Sequence, residues 1–233
     1  MTALLVAESI GKRFGERKVL TSAFLRAGEG RVAGLVGRNG EGKSTLLKIC
    51  AGVTRADHGS VRFAGRARLR PRLHRLAREG MFFLPAERNL LDPSRTLREH
   101  LALVARQLGR DHSAEAVERT GMAPHLDARC ALLSGGERRL AEIAVALAAA
   151  PRCLLADEPL RGLDPRHAER VAAVLRETAR AGCAVVVTGH ELNFLLPVLD
   201  DVLWLNGGAT RLFASPAEAR GDWSFRRHFL GVG

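Results

Sequence analysis

Apolar positions at the start of the chain come in short runs separated by turn residues: "ALLVA", then "KVLTSAFLRAG", then "RVAGLVG". Runs of that length bounded by glycine and polar residues predict strands. Across a glycine-rich loop, "KSTLLKICAG" has the spacing of an amphipathic helix, so the local order is strand, loop, helix. Residues 66 to 79, "RARLRPRLHRLARE", are Arg-rich and broken by Pro71, which predicts a solvated loop and a short helix. A brief apolar run, "MFFLP", comes next.

From about residue 88 to 150 the period becomes helical. Thr96 with Glu99 makes a capping box; Leu97, Leu101, Val104, Ala105 and Leu108 recur on one face, and Gly109 fits the stop. Ser113 opens a shorter helix that ends near Gly121, and "ERRLAEIAVALAAA" is a third, ended by Pro151. Two apolar strands follow, "CLLA" before Asp157 and "AVVVTG" before His190, with the helical "ERVAAVLRETARAG" between them. Continuous apolar strands joined by a helix imply a parallel sheet buried on both faces. In "DVLWLNGGATRLF", Gly207 and Gly208 separate two β-like runs and predict a hairpin, and "SPAE" places Ser215 at a helix cap with Pro216 in the first turn. The expected fold is one α/β domain, residues 1–87 and 151–233, with an all-helical insertion at 88–150; no repeat or low-complexity linker interrupts it.

Composition narrows the class. The 233 residues, 46% hydrophobic and 26% charged, are ordinary for a globular protein, and no apolar run approaches the roughly 20 residues a membrane helix needs. "MTALLVAESI" lacks the features of a secretory signal, so a cytoplasmic location is expected. Cys50, Cys130, Cys153 and Cys183 are scattered, which fits small core residues better than a disulfide framework or a zinc site. The net charge of +11 suits anionic partners such as nucleotides, nucleic acid or lipid. Nearly all of it, however, is arginine spread along the chain, which equally describes a solvated surface.

"GRNGEGKST" matches G-x-x-x-x-G-K-[ST] between a strand and a helix, as a phosphate loop requires. Glycines let backbone N–H groups turn toward phosphate oxygens, Lys43 can reach the β and γ phosphates, and the Ser44 hydroxyl can ligate magnesium. "GEGRVA" at 28 to 33 also satisfies a dinucleotide pattern but precedes its strand, so it reads as a turn. "CLLADEP" ends an apolar strand in two carboxylates: Asp157 is placed to hold magnesium directly or through water, and Glu158 to orient or deprotonate an attacking water. His190 closes the second apolar strand, whose carboxyl end opens on the same crevice.

"LSGGERR" at 133 to 139 has a local reading, a capping box in which Ser134 accepts an N–H and Glu137 reaches back. That explains Ser and Glu but not two adjacent glycines, which are costly in a helix and leave bare N–H groups as an anion site. A helix N-terminus favours an anion by about 0.3–1 kcal/mol, up to about 2 when partly buried, against roughly 8 kcal/mol for micromolar affinity. Such a site cannot hold a nucleotide alone.

Taken together, these motifs resemble the ATPase subunits of ABC transporters over nearly the whole chain. The resemblance implies a P-loop NTPase core with a parallel sheet, an N-terminal antiparallel β subdomain and an inserted helical subdomain. Phe14 looks like the aromatic that stacks on adenine. Gly37, Arg38, Asn39, Gly40, Glu41, Gly42, Lys43, Ser44 and Thr45 look like the Walker A loop. Asp157 and Glu158 look like the Walker B aspartate and the catalytic glutamate, "PLRGLD" ending at Asp164 like the D-loop, and His190 like the switch histidine that contacts the γ-phosphate. Ser134, Gly135 and Gly136 look like the signature motif, which with Asp164 would meet ATP held by a second ATPase subunit, identical or not, in a head-to-tail dimer. ATP and Mg2+ are the implied cofactors. Transmembrane permease subunits are the implied partners, with the chain peripheral on the inner face of the membrane and no direct nucleic-acid contact. "LSGGERR" and the tail "FRRHFLG" lean toward ATPases of branched-chain amino-acid import and lipopolysaccharide export.

Two positions depart from the family pattern. "FFLPAERN" has Ala86 where a magnesium-sensing Gln is usual, with Glu87 beside it as either a substitute carboxylate ligand or a plain loop charge. Arg161 replaces the usual small residue of the D-loop. The alternative reading is a soluble ABC ATPase acting on nucleic acid or ribosomes; those usually carry two cassettes or a long coiled-coil insertion, and neither is present in this sequence.

Overall fold

Three short apolar segments are buried along their whole length: Val32–Val36, Cys153–Ala156 and Ala184–Thr188. Alternate residues of such strands face opposite sides of the sheet, and both sides are covered. Val32, Leu154, Val185 and Val202 join one hydrophobic cluster, whereas Ala33, Leu155, Val186 and Leu203 join the other. The computed structural model describes residues 3–68, 71–87, 90–109 and 111–230, without the side chains of residues 229 and 230.

In chain order the main elements are β1 (Ala3–Phe14), β2 (Arg17–Gly28), β3 (Val32–Val36), α1 (Lys43–Cys50), β4 (His58–Phe63), β5 (Arg66–Arg68), α2 (Leu73–Arg78) and β6 (Met81–Leu84). There follow α3 (Leu97–Leu108), α4 (Ser113–Thr120), α5 (Gly135–Ala148), β7 (Cys153–Ala156), α6 (Pro165–Arg180), β8 (Ala184–Thr188), α7 (Leu192–Leu195), β9 (Asp201–Asn206), β10 (Ala209–Phe213) and α8 (Pro216–Gly221). The strands form one sheet in the order β5-β4-β1-β2-β10-β9-β3-β8-β7-β6. β9, β3, β8, β7 and β6 run parallel, and β1, β2, β4 and β5 form an antiparallel wing. The parallel strands deliver the ends of β3, β7 and β8 to one edge, where loops are free to build a site.

The predicted helix signals are realised. Thr96 and Glu99 form a reciprocal capping box on α3, and Gly109 and Gly121 close α3 and α4 in the left-handed conformation. Ser215 accepts from Glu218 N with Pro216 in the first turn. Gly207 and Gly208 turn the β9–β10 hairpin, in register from Ala209 opposite Asn206 to Phe213 opposite Val202. "GEGRVA" is the turn between β2 and β3, and the four cysteines are buried and free.

The Arg-rich stretch differs from expectation. Residues 66–68, read as loop, form β5 against β4, with Val61 opposite Arg68 and Phe63 opposite Arg66. The cause is tertiary: β4, paired with β1 on its other side, presents a free edge whose N–H and C=O groups the next residues satisfy, and the Arg68 guanidinium pairs with Glu79 beyond α2. The start of the helical stretch at residue 88 and the Gly231 end of "FRRHFLG" lie outside the described residues.

Candidate functional site

The loop from β3 to α1 wraps around the Lys43 ammonium. Lys43 is buried and donates to the carbonyls of Gly37 at 2.8 Å and Arg38 at 3.0 Å. Burial pushes its pKa down, and the carboxylates Glu158, Glu41, Asp157 and Glu191 partly oppose that shift. Gly42 caps α1 with φ 104°, and a β-carbon there would lie 2.8 Å from Val19 and 2.9 Å from Leu20. Only glycine takes that turn against β2. The N–H of Arg38 donates to Glu41 Oε2 at 3.1 Å, and Arg17 on β2 donates to the Gly40 carbonyl at 3.1 Å, which fixes the loop's tip.

Asp157 follows β7 and is almost wholly buried. One of its oxygens, Oδ1, accepts from Ser44 Oγ at 2.9 Å and from Thr188 Oγ1 at 2.8 Å. Thr188, the last residue of β8, also accepts the N–H of Glu158 at 2.8 Å. Glu158 has φ 45°, a left-handed backbone that non-glycine residues adopt rarely. Its one backbone donor is held by Thr188, and the residue lines a cleft shared with Ser44 and Asp157.

These groups open on a cleft of about 880 Å³ whose walls include Asn39, Gly40, Ser44, Asp157, Glu158 and His190. Ala86 and Glu87 line it as well, together with Arg161, so both departures from the expected pattern face the same space. Arg161 Nη1 lies 3.4 Å from Glu158 Oε2. His190 is exposed; its Nε2 lies 3.5 Å from Glu191 Oε1, and its N–H donates to Glu191 Oε2. Phe14 stands outside the cleft, 53% exposed, at the end of the β1–β2 hairpin whose Arg17 touches the loop tip; the Lys12 ammonium sits 5.3 Å from its ring centre.

The loop carrying Ala86 and Glu87 is anchored to α5 at both ends. Glu142, buried on α5, accepts the N–H of Leu90 at 3.2 Å and the Arg139 guanidinium at 2.8 Å, and Arg139 donates to the Pro85 carbonyl at 3.4 Å. Burial raises the Glu142 pKa, opposed by Arg139 and the Leu90 N–H.

Ser134, Gly135, Gly136 and Asp164 do not line the cleft. Ser134 and Glu137 form the expected reciprocal capping box: Glu137 N donates to Ser134 Oγ at 3.3 Å and Ser134 N to Glu137 Oε2 at 2.8 Å. The two glycines are unlike each other. Gly135 is exposed, and a β-carbon there would meet nothing within 4 Å. Gly136 is buried, and a β-carbon there would fall 2.2 Å from His167 Cγ. The two glycines therefore have separate packing requirements: a side chain has room at 135, whereas close packing against His167 demands glycine at 136 whatever its N–H does. Asp164 caps α6 by accepting from His167 N at 3.0 Å.

Thr188, Arg139, Glu142 and His167 went unassigned in the sequence. Thr188 had a signal, as the one polar residue ending the apolar run "AVVVT". The other three act on segments distant in the chain, Arg139 and Glu142 on Pro85 and Leu90 and His167 on Gly136, and had none. Among the described residues no group of three or more His, Cys, Asp and Glu gathers to hold a metal. The cleft supplies instead one hydroxyl and one carboxylate oxygen side by side and a second carboxylate, and the Lys43 ammonium is held behind it by the loop carbonyls, a set suited to a polyphosphate and a hard cation.

Comparison with known proteins agrees with this chemistry. A family model described as "ABC transporter" matches residues 20–161. The lipopolysaccharide export system ATP-binding protein LptB of Acidithiobacillus ferridurans is 32% identical over 99% of this chain and 98% of its own length. The zinc import ATP-binding protein ZnuC of Alkalilimnicola ehrlichii is 35% identical over 98% of this chain and 84% of its own. Among solved structures, the dimeric post-hydrolysis state of an ATP-binding cassette bound to ADP and Pi superposes with a TM-score of 0.79 at 24% identity, over 90% of this chain and 98% of that one.

Proposed function

Because this chain belongs to the ABC transporter family, as an ATP-binding and ATP-hydrolysing cassette, we propose that it drives transport through separate transmembrane subunits by ATP-driven closure of a head-to-tail dimer. The observation that carries this reading is the separation of two phosphate-directed elements. Ser44, Asp157 and Glu158 line one cleft, with the buried Lys43 ammonium within electrostatic reach of both carboxylates, while the signature residues Ser134 and Gly135 are exposed elsewhere on the same chain. A signature helix terminus too weak to hold ATP alone becomes useful when it covers ATP held by another subunit.

ATP binds with its β and γ phosphates at the loop N–H groups and Lys43, whose ammonium exchanges the Gly37 and Arg38 carbonyls for phosphate oxygens. Phe14 lies beside the adenine. Ser44 Oγ and Asp157 Oδ1, 2.9 Å apart, fit Mg2+, which demands few protein oxygens and completes its shell from water and phosphates; when bound, it neutralises charge on the transferring phosphoryl group. Thr188 keeps Asp157 oriented for that task. Glu158 takes a proton from a water whose oxygen attacks the γ-phosphorus; the bond from the γ-phosphorus to the bridging oxygen breaks, leaving ADP and inorganic phosphate. His190 contacts the γ-phosphate, and Glu87 offers a further carboxylate where Gln is usual.

In the dimer, Ser134, Gly135, Gly136 and Asp164 of one subunit close over ATP on the other, and loss of the γ-phosphate lets the pair open. The helical segment 88–150 acts as a subdomain that passes this motion to the membrane partner. No helix among the described residues is long and apolar enough to cross a membrane, which supports a peripheral place at the inner face, beside the permease. The test is oligomeric state: the Glu158→Gln protein, weighed by light scattering with and without ATP, becomes a dimer with ATP and stays monomeric with Lys43→Ala added. A Glu158→Gln protein that binds ATP and remains a monomer would overturn the sandwich.

A further inference from the structure

The space that a side chain at Gly136 would fill is taken by an imidazole. A β-carbon at Gly136 would lie 2.2, 2.4 and 2.5 Å from Cγ, Cδ2 and Nδ1 of His167, so the ring rests on the second turn-forming residue of the signature. The same ring's Nδ1 is 2.5 Å from Asp164 Oδ2, and the other oxygen of that carboxylate accepts the His167 N–H. One side chain on α6 thus touches the start of α5 and the residue that caps its own helix. The outward-facing members of the two motifs, Gly135 and Asp164, are both exposed.

We propose that His167 is a positioning residue that fixes the signature turn and Asp164 as one rigid face for the partner's nucleotide. The claim rests on the head-to-tail reading above. Its physical reason is geometric: hydrogen-bond donors act on phosphate only when held within fractions of an ångström of the productive position, and Gly135 and Gly136, lacking side chains, cannot pack themselves into place. The imidazole supplies that packing from outside. Its Nδ1, bonded to Asp164, sets the ring plane and with it the distance between the two motifs. No part of His167 lines the cleft that binds nucleotide on its own chain, so its removal acts on the neighbour's site.

The experiment measures two equilibria separately in the Glu158→Gln full-length protein: binding of a fluorescent ATP analogue to the monomer, and ATP-driven dimerisation by analytical ultracentrifugation. With His167→Ala, monomer affinity stays within about twofold while the dimerisation constant weakens at least about tenfold. His167→Asn, whose amide nitrogen can occupy the place of Nδ1 toward Asp164, recovers most of the loss. Dimerisation unchanged by His167→Ala overturns the positioning role and leaves the sandwich intact. Equal loss of monomer affinity and dimerisation, unrescued by Asn, also overturns it, as a general folding defect. A Glu158→Gln parent that never dimerises with ATP overturns the sandwich and this inference together.

Discussion

Ser44 Oγ stands 2.9 Å from Asp157 Oδ1, joining two residues 113 positions apart in the chain. That contact brings the first residues of α1 to the end of β7 and places a hydroxyl and a carboxylate where one hard cation can touch both. Thr188 on β8, bonded to the same Asp157 oxygen, makes the carboxylate's position depend on a third element. Asp157→Asn keeps the shape and removes the charge. We expect ATP hydrolysis to slow roughly 10²–10³-fold, as the loss of several kcal/mol of charge stabilisation implies, and added Mg2+ not to restore it. Steady-state turnover across a Mg2+ titration measures this; an unchanged rate would overturn the proposed role of Asp157 as a magnesium ligand.

Glu158 is one peptide further on, held by its N–H to Thr188 in a left-handed turn. Glu158→Gln keeps the size and removes the proposed base. Turnover should fall about 10²–10⁴-fold with ATP binding retained, as read by phosphate release beside nucleotide binding. Normal turnover would assign the proton to another group.

Ser134 and Gly135 face away from their own chain's cleft. Ser134→Arg should abolish ATPase activity while ATP affinity of the monomer stays nearly intact. A large loss of monomer affinity would contradict action on a neighbouring subunit.

The two signature glycines should respond differently to one methyl group. Gly135→Ala meets open space, so thermal stability should hold or rise by up to about 1 kcal/mol, and any loss should fall on ATP-dependent dimerisation. Gly136→Ala drives a β-carbon into His167 and should destabilise the isolated chain by about 1–3 kcal/mol. Equal stability of the two variants in urea unfolding would count against the packing described for residue 136.

Glu142 ties the loop of Ala86 and Glu87 to the signature helix. Glu142→Ala removes the acceptor of the Leu90 N–H and leaves the Arg139 guanidinium without its carboxylate. Breaking a fully buried pair from one side costs about 3–5 kcal/mol; Arg139 is partly exposed and keeps the Pro85 carbonyl, so chemical denaturation should show a loss of about 1–3 kcal/mol. A loss below about 1 kcal/mol would mean that the loop is held by other contacts.

Acid should loosen both capping boxes. Glu99 and Glu137 are held below the ordinary carboxylate range, chiefly by the N–H groups of Thr96 and Ser134. A depressed folded-state pKa gives stabilisation that is complete above the unfolded value, about 4.3, and is lost as pH falls through the folded value. Melting temperature should therefore drop as pH falls below about 4.3, and a Glu99→Gln, Glu137→Gln double variant should show a shallower drop. Parallel curves would place the acid response elsewhere.

Much of this was legible in sequence because it depends on neighbours along the chain. Thr96 with Glu99, Ser134 with Glu137 and Pro216 after Ser215 set helix starts through bonds spanning three residues. "CLLA" and "AVVVT" announce buried parallel strands by continuous apolarity, and the phosphate loop carries its chemistry within nine positions. Tertiary structure alone decided the rest. β5 exists because β4 has a free edge, Glu142 matters because Leu90 and Arg139 point their donors at it, and Gly136 must be glycine because His167 occupies the space beside it. In each case the energy lies in a contact between distant segments, where packing and hydrogen-bond satisfaction act through space. Local pattern fixes which residues are apolar, capped or charged; only the folded chain brings Ser44 to Asp157 and turns Gly135 away from both.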